Sequence, residues 1–433
     1  MANRSAMRQK AVSPIVLLTA VMAIIHSSKH PTMKRWPPFL VLLPLLLAGC
    51  GDPAGPGEPW QSIQLDERLV HAYTDLGIDL LGELARQSPR ENVFVSPTSA
   101  AFALAMTYNG AAGETAAQMA RMLGIEGMTI EEANRANQEW LASLADPGRE
   151  VELSIANSLW IRQGFPVEPA FLQRNQSFYR AEVRQLDFNS PSAVGTINGW
   201  VNQSTRGKIP TIIDGIDPLD MLFLINALYF KADWTHQFDR RRTQPAPFRL
   251  LDGSTKYVPM MSQEKKFPYF RGDGFSLVAL PYGNGRFSMV LALPDANSDL
   301  VSFYAKLSPS SLQSWIAGMN GEIRVSLPRF TLEWEKTLNE TLATLGMEDA
   351  FVPGRADFSG INPQQTDLHI SELKQKTYLR VDEEGTEAAA VTSSRVSVTS
   401  APLELRFDRP FFLAIRDNAT ETLLFLGQIV DPS

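Results

Sequence analysis

Residues 98–108 read TSAAFALAMTY, and little in that stretch is suited to water. A helix over it presents Ala100, Ala101, Phe102, Ala103, Leu104, Ala105 and Met106 on every side. Such a helix is stable only when other elements cover it completely, so this chain must build a sizeable domain around it. The residues before it predict how it begins. Asn92 to Ser96 (NVFVS) reads as a short buried strand, and Pro97 ends that strand and opens the helix. Further upstream, Leu69, Ala72, Tyr73, Leu76, Leu80, Leu81 and Leu84 recur at three-to-four spacing, which predicts an amphipathic helix over Leu65–Gln87. Gly113 starts another helix, with Glu114 near its positive end.

Beyond these helices the period changes. Ser154–Arg162, Met221–Lys231, Phe275–Ala279, Phe287–Leu293, Glu322–Arg329 and Leu423–Val430 are short runs rich in β-branched and aromatic residues, which predicts strands. Helices come early, strands dominate later, and no regular βαβ alternation runs through the chain. The pattern is that of an α+β fold with largely antiparallel sheets.

Charge excludes one class of partner. Residues 1–49 hold six basic side chains (Arg4, Arg8, Lys10, Lys29, Lys34, Arg35) and no acid, so the rest of the chain carries 34 basic and 47 acidic groups. A body that acidic repels phosphate backbones, and nucleic acid is not an expected partner. With a single cysteine, no intramolecular disulfide and no multi-cysteine metal site can form. His71, His236 and His369 stand isolated in the body, which gives metal or histidine chemistry little material; no metal and no cofactor is expected.

The basic N-terminal region reads as a leader. Two apolar runs, Pro14–Ile25 and Phe39–Gly49, are both shorter than the ~20 residues of a spanning helix. The second follows Lys34 and Arg35 and ends in Leu47, Ala48, Gly49 and Cys50. A positive start, a short apolar core and small residues at the cut define a secretory signal. The last four residues resemble the bacterial lipobox, in which the cysteine is lipidated and becomes the new N-terminus. A buried thiol in an apolar segment is the alternative for Cys50. Residues 51–59 (GDPAGPGEP) follow at once and read as a tether. The organisation expected is a leader over 1–49, a Gly/Pro tether over 50–60 and one domain over 61–433. Met33 with Lys34 and Arg35 looks like a natural signal start, which makes residues 1–32 the product of an upstream start codon. A genuine N-terminal anchor in the run Pro14–Ile25, with Met1 as the start, is the alternative.

Several motifs resemble one family. Residues 382–392 (DEEGTEAAAVT) resemble the hinge of the reactive loop of serpins, and residues 405–415 (LRFDRPFFLAI) resemble their C-terminal signature. Residues 226–234 (NALYFKADW) look like the family's central-sheet strand, which ends in a tryptophan. Residues 92–99 with 104–110, 197–202 with 207–209, and 345–347 with 356–361 also match, all in the family's order. The resemblance implies a single α+β domain with three β-sheets, eight to nine helices and an exposed reactive loop. It implies a protein that is not an enzyme but a suicide-type inhibitor of serine proteases. A protease acylates itself on the loop, and the cut loop then inserts as a strand into the central sheet before the ester can be hydrolysed.

The loop residues suit insertion on their own physical terms. Successive side chains of a strand point to opposite faces. From Thr386, one face takes Thr386, Ala388, Ala390, Thr392, Ser394, Val396 and Val398; the other takes Glu387, Ala389, Val391, Ser393, Arg395 and Ser397. Both charges share the second face, so the first can be buried without desolvating an ion. The hinge implied by the resemblance is Glu383, Glu384, Gly385, Thr386, Glu387, Ala388, Ala389 and Ala390; by composition alone the same stretch could be a flexible linker or a short helix. In the family the residue before the cut lies fourteen positions after the hinge glycine, and a phenylalanine lies eight further on. Counting from Gly385 gives Thr399 and then Phe407, so the two landmarks agree on Thr399–Ser400 as the reactive bond, with cleavage after Val398 as the alternative. A small β-branched residue at the cut suits elastase-like or subtilisin-like pockets and leaves a trypsin-like carboxylate unpaired.

Ser96, Ser99, Asn226 and Trp234 match family positions around the opening sheet. Gln375 departs from the family, which often has His there; glutamine still donates and accepts but cannot titrate. Two rivals differ in class. An enzyme lacks support, since no Gly-x-Ser-x-Gly, His-Glu-x-x-His or phosphate loop occurs. A non-inhibitory serpin acting as a binding module would be expected to carry bulky or charged residues on the inserting face of the hinge. The expected partners are a target serine protease and a membrane reached through a lipid on Cys50. The expected state is a monomer, and the expected place the cell envelope or cell surface of a bacterium, as a secreted lipoprotein.

Overall fold

The computed structural model describes residues 60–148, 150–384 and 403–433. The leader, Cys50, the hinge residues Gly385 to Ala390 and the bond Thr399–Ser400 lie outside the described residues. Among the described residues the chain forms nine α-helices and three hydrogen-bonded sheets, as the α+β reading requires.

The apolar helix lies at the centre, over Pro97–Tyr108. Pro97 occupies its first position, and the Ser96 hydroxyl accepts the Ser99 N–H at 3.2 Å, which caps the helix start. Helix Glu67–Gln87, strand Leu222–Ala232 and strand Leu423–Ile429 cover it, and Ala101, Phe102, Leu104 and Met106 are wholly buried.

The largest sheet has nine strands. Three of its strands, Phe287–Pro294, Phe411–Asp417 and Leu423–Ile429, are antiparallel neighbours buried along their whole lengths. Ala414 stands opposite Leu426 on one side and Val290 on the other. At one edge Glu404–Arg406 pairs in parallel with Gly321–Pro328, so the chain that emerges from the loop returns directly into this sheet.

Two smaller sheets position the site. In the first, Val151–Arg162 pairs antiparallel with Leu222–Ala232 and parallel with Glu182–Leu186. The second is the pair Phe330–Thr337 and Lys374–Val381. Helix Ala193–Ser204 covers the first of these sheets. Ile197 and Val201 of the helix meet Trp160, Phe188, Ile213 and Ile225 in a small separate core.

Candidate functional site

A single corner of backbone grips both smaller sheets. Ser96 sits in extended conformation between the strand Val93–Val95 and the central helix, so its own N–H and C=O point sideways. Gln375 takes both: its Oε1 accepts the Ser96 N–H at 3.0 Å and its Nε2 donates to the Ser96 carbonyl at 3.0 Å. Two residues along, the Thr377 hydroxyl donates to the Phe94 carbonyl at 2.6 Å. Strand Lys374–Val381 turns Gln375, Thr377, Leu379 and Val381 inward and the residues between them outward. Its inward polar pair is therefore matched to the backbone beneath it.

The other sheet is held from the same corner. The Ser99 hydroxyl donates to Asn226 Oδ1, Asn226 Nδ2 donates to Asn157 Oδ1 at 2.7 Å, and Asn157 Nδ2 donates to the Tyr179 carbonyl at 2.8 Å. The Ser96 hydroxyl itself donates to the Leu424 carbonyl at 2.8 Å, tying the corner to the large sheet. These groups are neutral and mutually satisfied, so drawing either strand away exposes buried donors and acceptors at a cost of about 1–3 kcal/mol each. Four residues flagged in the sequence (Ser96, Ser99, Asn226 and Gln375) thus form one network.

Trp234 lies elsewhere, at the far end of strand Leu222–Ala232. Its ring stacks on Tyr282 with centroids 4.4 Å apart and planes 9° off parallel. Its Nε1–H donates to the Asp382 carbonyl at 2.9 Å, and its backbone N–H donates to the Glu384 carbonyl at 3.0 Å. The Phe238 N–H donates to the Glu383 carbonyl at 2.8 Å. Burial, and after it the Asp382 charge, push the Tyr282 hydroxyl far above the usual phenol range.

Three consecutive carboxylates stand at the base of the loop, and all three are buried. Each is met by a different arginine. Arg380 pairs with Asp382 at 3.0 Å, Arg329 with Glu383 at 3.4 Å, and Arg240 with Glu384. Thr243 adds a hydrogen bond to Glu383 at 2.7 Å. The arginines line a groove of about 830 Å³. Buried carboxylates held this way are strongly position-specific, because withdrawing a partner leaves an uncompensated charge. The sequence reading placed Glu383 and Glu384 in the hinge but did not find Thr243, Arg240, Arg329 or Arg380. The run Arg240–Arg242 set against the acidic triplet 382–384 was the only available signal.

Between these two clusters no ladder joins strand Leu222–Ala232 to strand Lys374–Val381 among the described residues. A cavity of about 40 Å³ lies there, lined by Leu228 and Phe230 on one side, Leu379 on the other, and Phe425. The return side of the loop is equally well anchored. Phe407 is fully buried against Phe411, with ring centroids 5.2 Å apart. Among the described residues no group of three or more His, Cys, Asp or Glu could hold a metal ion, and no helix is long and apolar enough to cross a membrane.

These features define a protein whose chain reaches Glu384 beside a junction between two sheets and resumes at Leu403 along the edge of a third. The family model for serpins, described as serine protease inhibitor, matches residues 71–432. Human leukocyte elastase inhibitor is 37% identical over 381 residues, covering 84% of this chain and all of the relative. Among solved structures, the thermophilic serpin tengpin in its native state aligns with a TM-score of 0.78 at 34% identity, over 87% of this chain and 97% of tengpin. Tengpin in its latent state aligns with a TM-score of 0.75 at 32% identity, over 86% of this chain and the whole of that one. The chain belongs to the serpin family, and protease inhibition is the general function that membership carries.

Proposed function

We propose that this serpin is a suicide inhibitor of elastase-like or subtilisin-like serine proteases, with Thr399–Ser400 as its reactive bond. The observation that carries the reading is the paired grip on the sheet junction. Gln375 and Asn226 hold its two flanking strands to one backbone corner, while Asp382, Glu383 and Glu384 fix the base of the loop at its far end. A loop tethered there, with every charge on one strand face, is placed to enter between the two strands.

In this reading the protease serine oxygen attacks the Thr399 carbonyl carbon and its proton passes to the protease base. The Thr399–Ser400 bond breaks, the Ser400 amine leaves with that proton, and an ester joins Thr399 to the enzyme. Water would complete hydrolysis. Insertion of the strand ending in Thr399 carries the enzyme away first and deforms its active site. Relatives named leukocyte elastase inhibitor support the choice of protease class.

The leader completes the proposal. The signal over 1–49 is removed, Cys50 carries lipid, and the tether over 50–60 holds a monomeric inhibitor to the bacterial cell envelope or surface. The inhibitory reading is tested by mixing the mature protein with pancreatic-type elastase and running a denaturing gel. An adduct of inhibitor plus enzyme that survives boiling supports it; complete conversion to a loop-cut fragment without adduct overturns it.

A further inference from the structure

Helix Ala193–Ser204 ends directly above the sheet junction, and the chain leaves it through two left-handed residues, Arg206 (φ +50°) and Gly207 (φ +82°). That conformation is unfavourable for a non-glycine residue, so the surroundings must hold the turn in place. They do so closely. The Gly207 N–H donates to the Asn202 carbonyl at 2.7 Å, and the Ile209 N–H donates to the Thr205 hydroxyl at 3.1 Å. Asn198 pins the far end: its Oδ1 accepts the N–H groups of Ile212 and Ile213 at 2.8 and 3.1 Å, and its Nδ2 donates to the Ile213 carbonyl at 2.8 Å.

The strap 205–214 so formed touches both sides of the junction. On the side of strand Leu222–Ala232, the Arg206 guanidinium lies 5.2 Å from the centre of the Tyr229 ring and pairs with Glu152 on the adjacent strand. On the side of strand Lys374–Val381, the Lys208 ammonium lies 5.3 Å from the centre of the Tyr378 ring. Lys376 donates to Thr211 at 3.2 Å, and Lys374 lies 3.2 Å from Asp214. Tyr378, Lys376 and Lys374 alternate along their strand and so share its outward face. Thr205, Lys208 and Ile209 also line the cavity between the strands. One cation thus rests on an aromatic ring on each side of the junction, within a single short segment.

We infer that the strap is a clasp whose cation–ring contacts, Arg206 on Tyr229 and Lys208 on Tyr378, set the pace at which a strand enters between the two smaller sheets. A strand entering there has to part Tyr229 from Tyr378 by one strand spacing, about 4.8 Å. The strap cannot then keep both contacts at their present distances, so one must open before insertion finishes. Arg206 and Lys208 are positioning residues in this role; neither meets the protease or the scissile bond.

The inference rests on loop insertion as proposed above, and its test separates the two. The loop of the full-length mature protein is cut rapidly with excess elastase, and tryptophan fluorescence and resistance to heat are followed with time. Opening one exposed cation–ring contact should accelerate insertion about two- to five-fold. Lys208→Gln and Arg206→Gln should each show that gain. Tyr378→Leu should match Lys208→Gln, whereas Tyr378→Phe, which keeps the ring and loses only the hydroxyl, should insert at the wild-type rate. Equal rates for wild type, Lys208→Gln and Tyr378→Leu overturn the clasp while leaving inhibition by insertion intact. A wild-type protein that is cut but gains neither signal nor heat resistance overturns the insertion reading and the clasp with it. Lys208 is partly exposed on the strap, so its variant tests the inference even where Tyr378→Leu folds poorly.

Discussion

Gln375 and the backbone of Ser96 exchange two hydrogen bonds of 3.0 Å each, one in either direction, across 279 residues of sequence. Removing the side-chain amide by Gln375→Leu leaves the buried Ser96 N–H without a partner, while the Ser96 carbonyl keeps the Ala100 N–H at 3.1 Å. With one buried donor orphaned, the loss should be about 1–3 kcal/mol, read as a lowered urea midpoint at unchanged slope. Gln375→His should restore the fold near pH 8. It should weaken it as pH falls through the imidazole range, because a protonated ring can no longer accept the Ser96 N–H.

Asp233 offers a test of charge crowding near the loop base. Burial raises its carboxyl above the ordinary value; Lys231 works against that shift, and Glu384, Glu150 and Asp382 add to it. With a raised native pKa, the folded state holds the proton more tightly than the unfolded state. This side chain therefore contributes stability that is lost as pH rises through its native pKa. Asp233→Asn should gain stability relative to wild type at pH 7, and the gain should vanish near pH 3. A gain that persists unchanged at pH 3 would point to packing instead.

Thr386→Arg should turn the inhibitor into a substrate. The alternation of residues 386–398 puts Thr386 on the uncharged face, so the variant must bury a guanidinium in the sheet at a cost of several kcal/mol. Insertion then loses the race against hydrolysis. Titrating elastase with the variant should give cut loop and regenerated enzyme. Wild-type stoichiometry of adduct would show that the facing is reversed.

Cys50→Ser should release the protein from membranes if the lipobox reading holds. Fractionation of expressing bacteria decides it. Retention of the serine variant in the membrane fraction would transfer the anchor to the run Pro14–Ile25.

How much of this was legible depended on where the apolar residues fell. The central helix and the strands Phe275–Tyr282, Phe287–Pro294, Gly321–Pro328 and Leu423–Ile429 of the large sheet are rich in apolar residues, and short-range pattern found them to within a few residues. Gln244–Arg249, Thr255–Arg271 and Phe411–Asp417 of the same sheet were not among the predicted strands. Strand Glu182–Leu186 (EVRQL) is mostly solvent-facing and offers no apolar alternation. Strand Lys374–Val381 hides for a different reason: its inward face begins with Gln375 and Thr377, whose polar groups serve the backbone of Ser96 and Phe94. Helix Ile130–Ser143 carried a readable start in the capping box of Thr129 and Glu132 that the strand-and-helix pattern passed over. The arginines on the loop base escaped because Arg240 and Glu384 become neighbours only after the whole sheet junction is built. The two-residue period of residues 386–398 is carried by the sequence alone, because those residues lie outside the described ones.

The central claim is that insertion of the strand ending at Thr399 outruns hydrolysis, and the most direct measurement is mass spectrometry of the peptide released when the adduct forms. With elastase-like or subtilisin-like enzymes, a stable adduct should accompany a C-terminal peptide beginning at Ser400, or at Thr399 after cleavage one residue earlier. Trypsin can cut after Arg395 instead, which shortens the inserted strand by four residues, roughly 13 Å at ~3.3 Å per residue, and should give mainly turnover. A stable trypsin adduct whose released peptide begins at Val396 would contradict both the assigned bond and the argument from strand length.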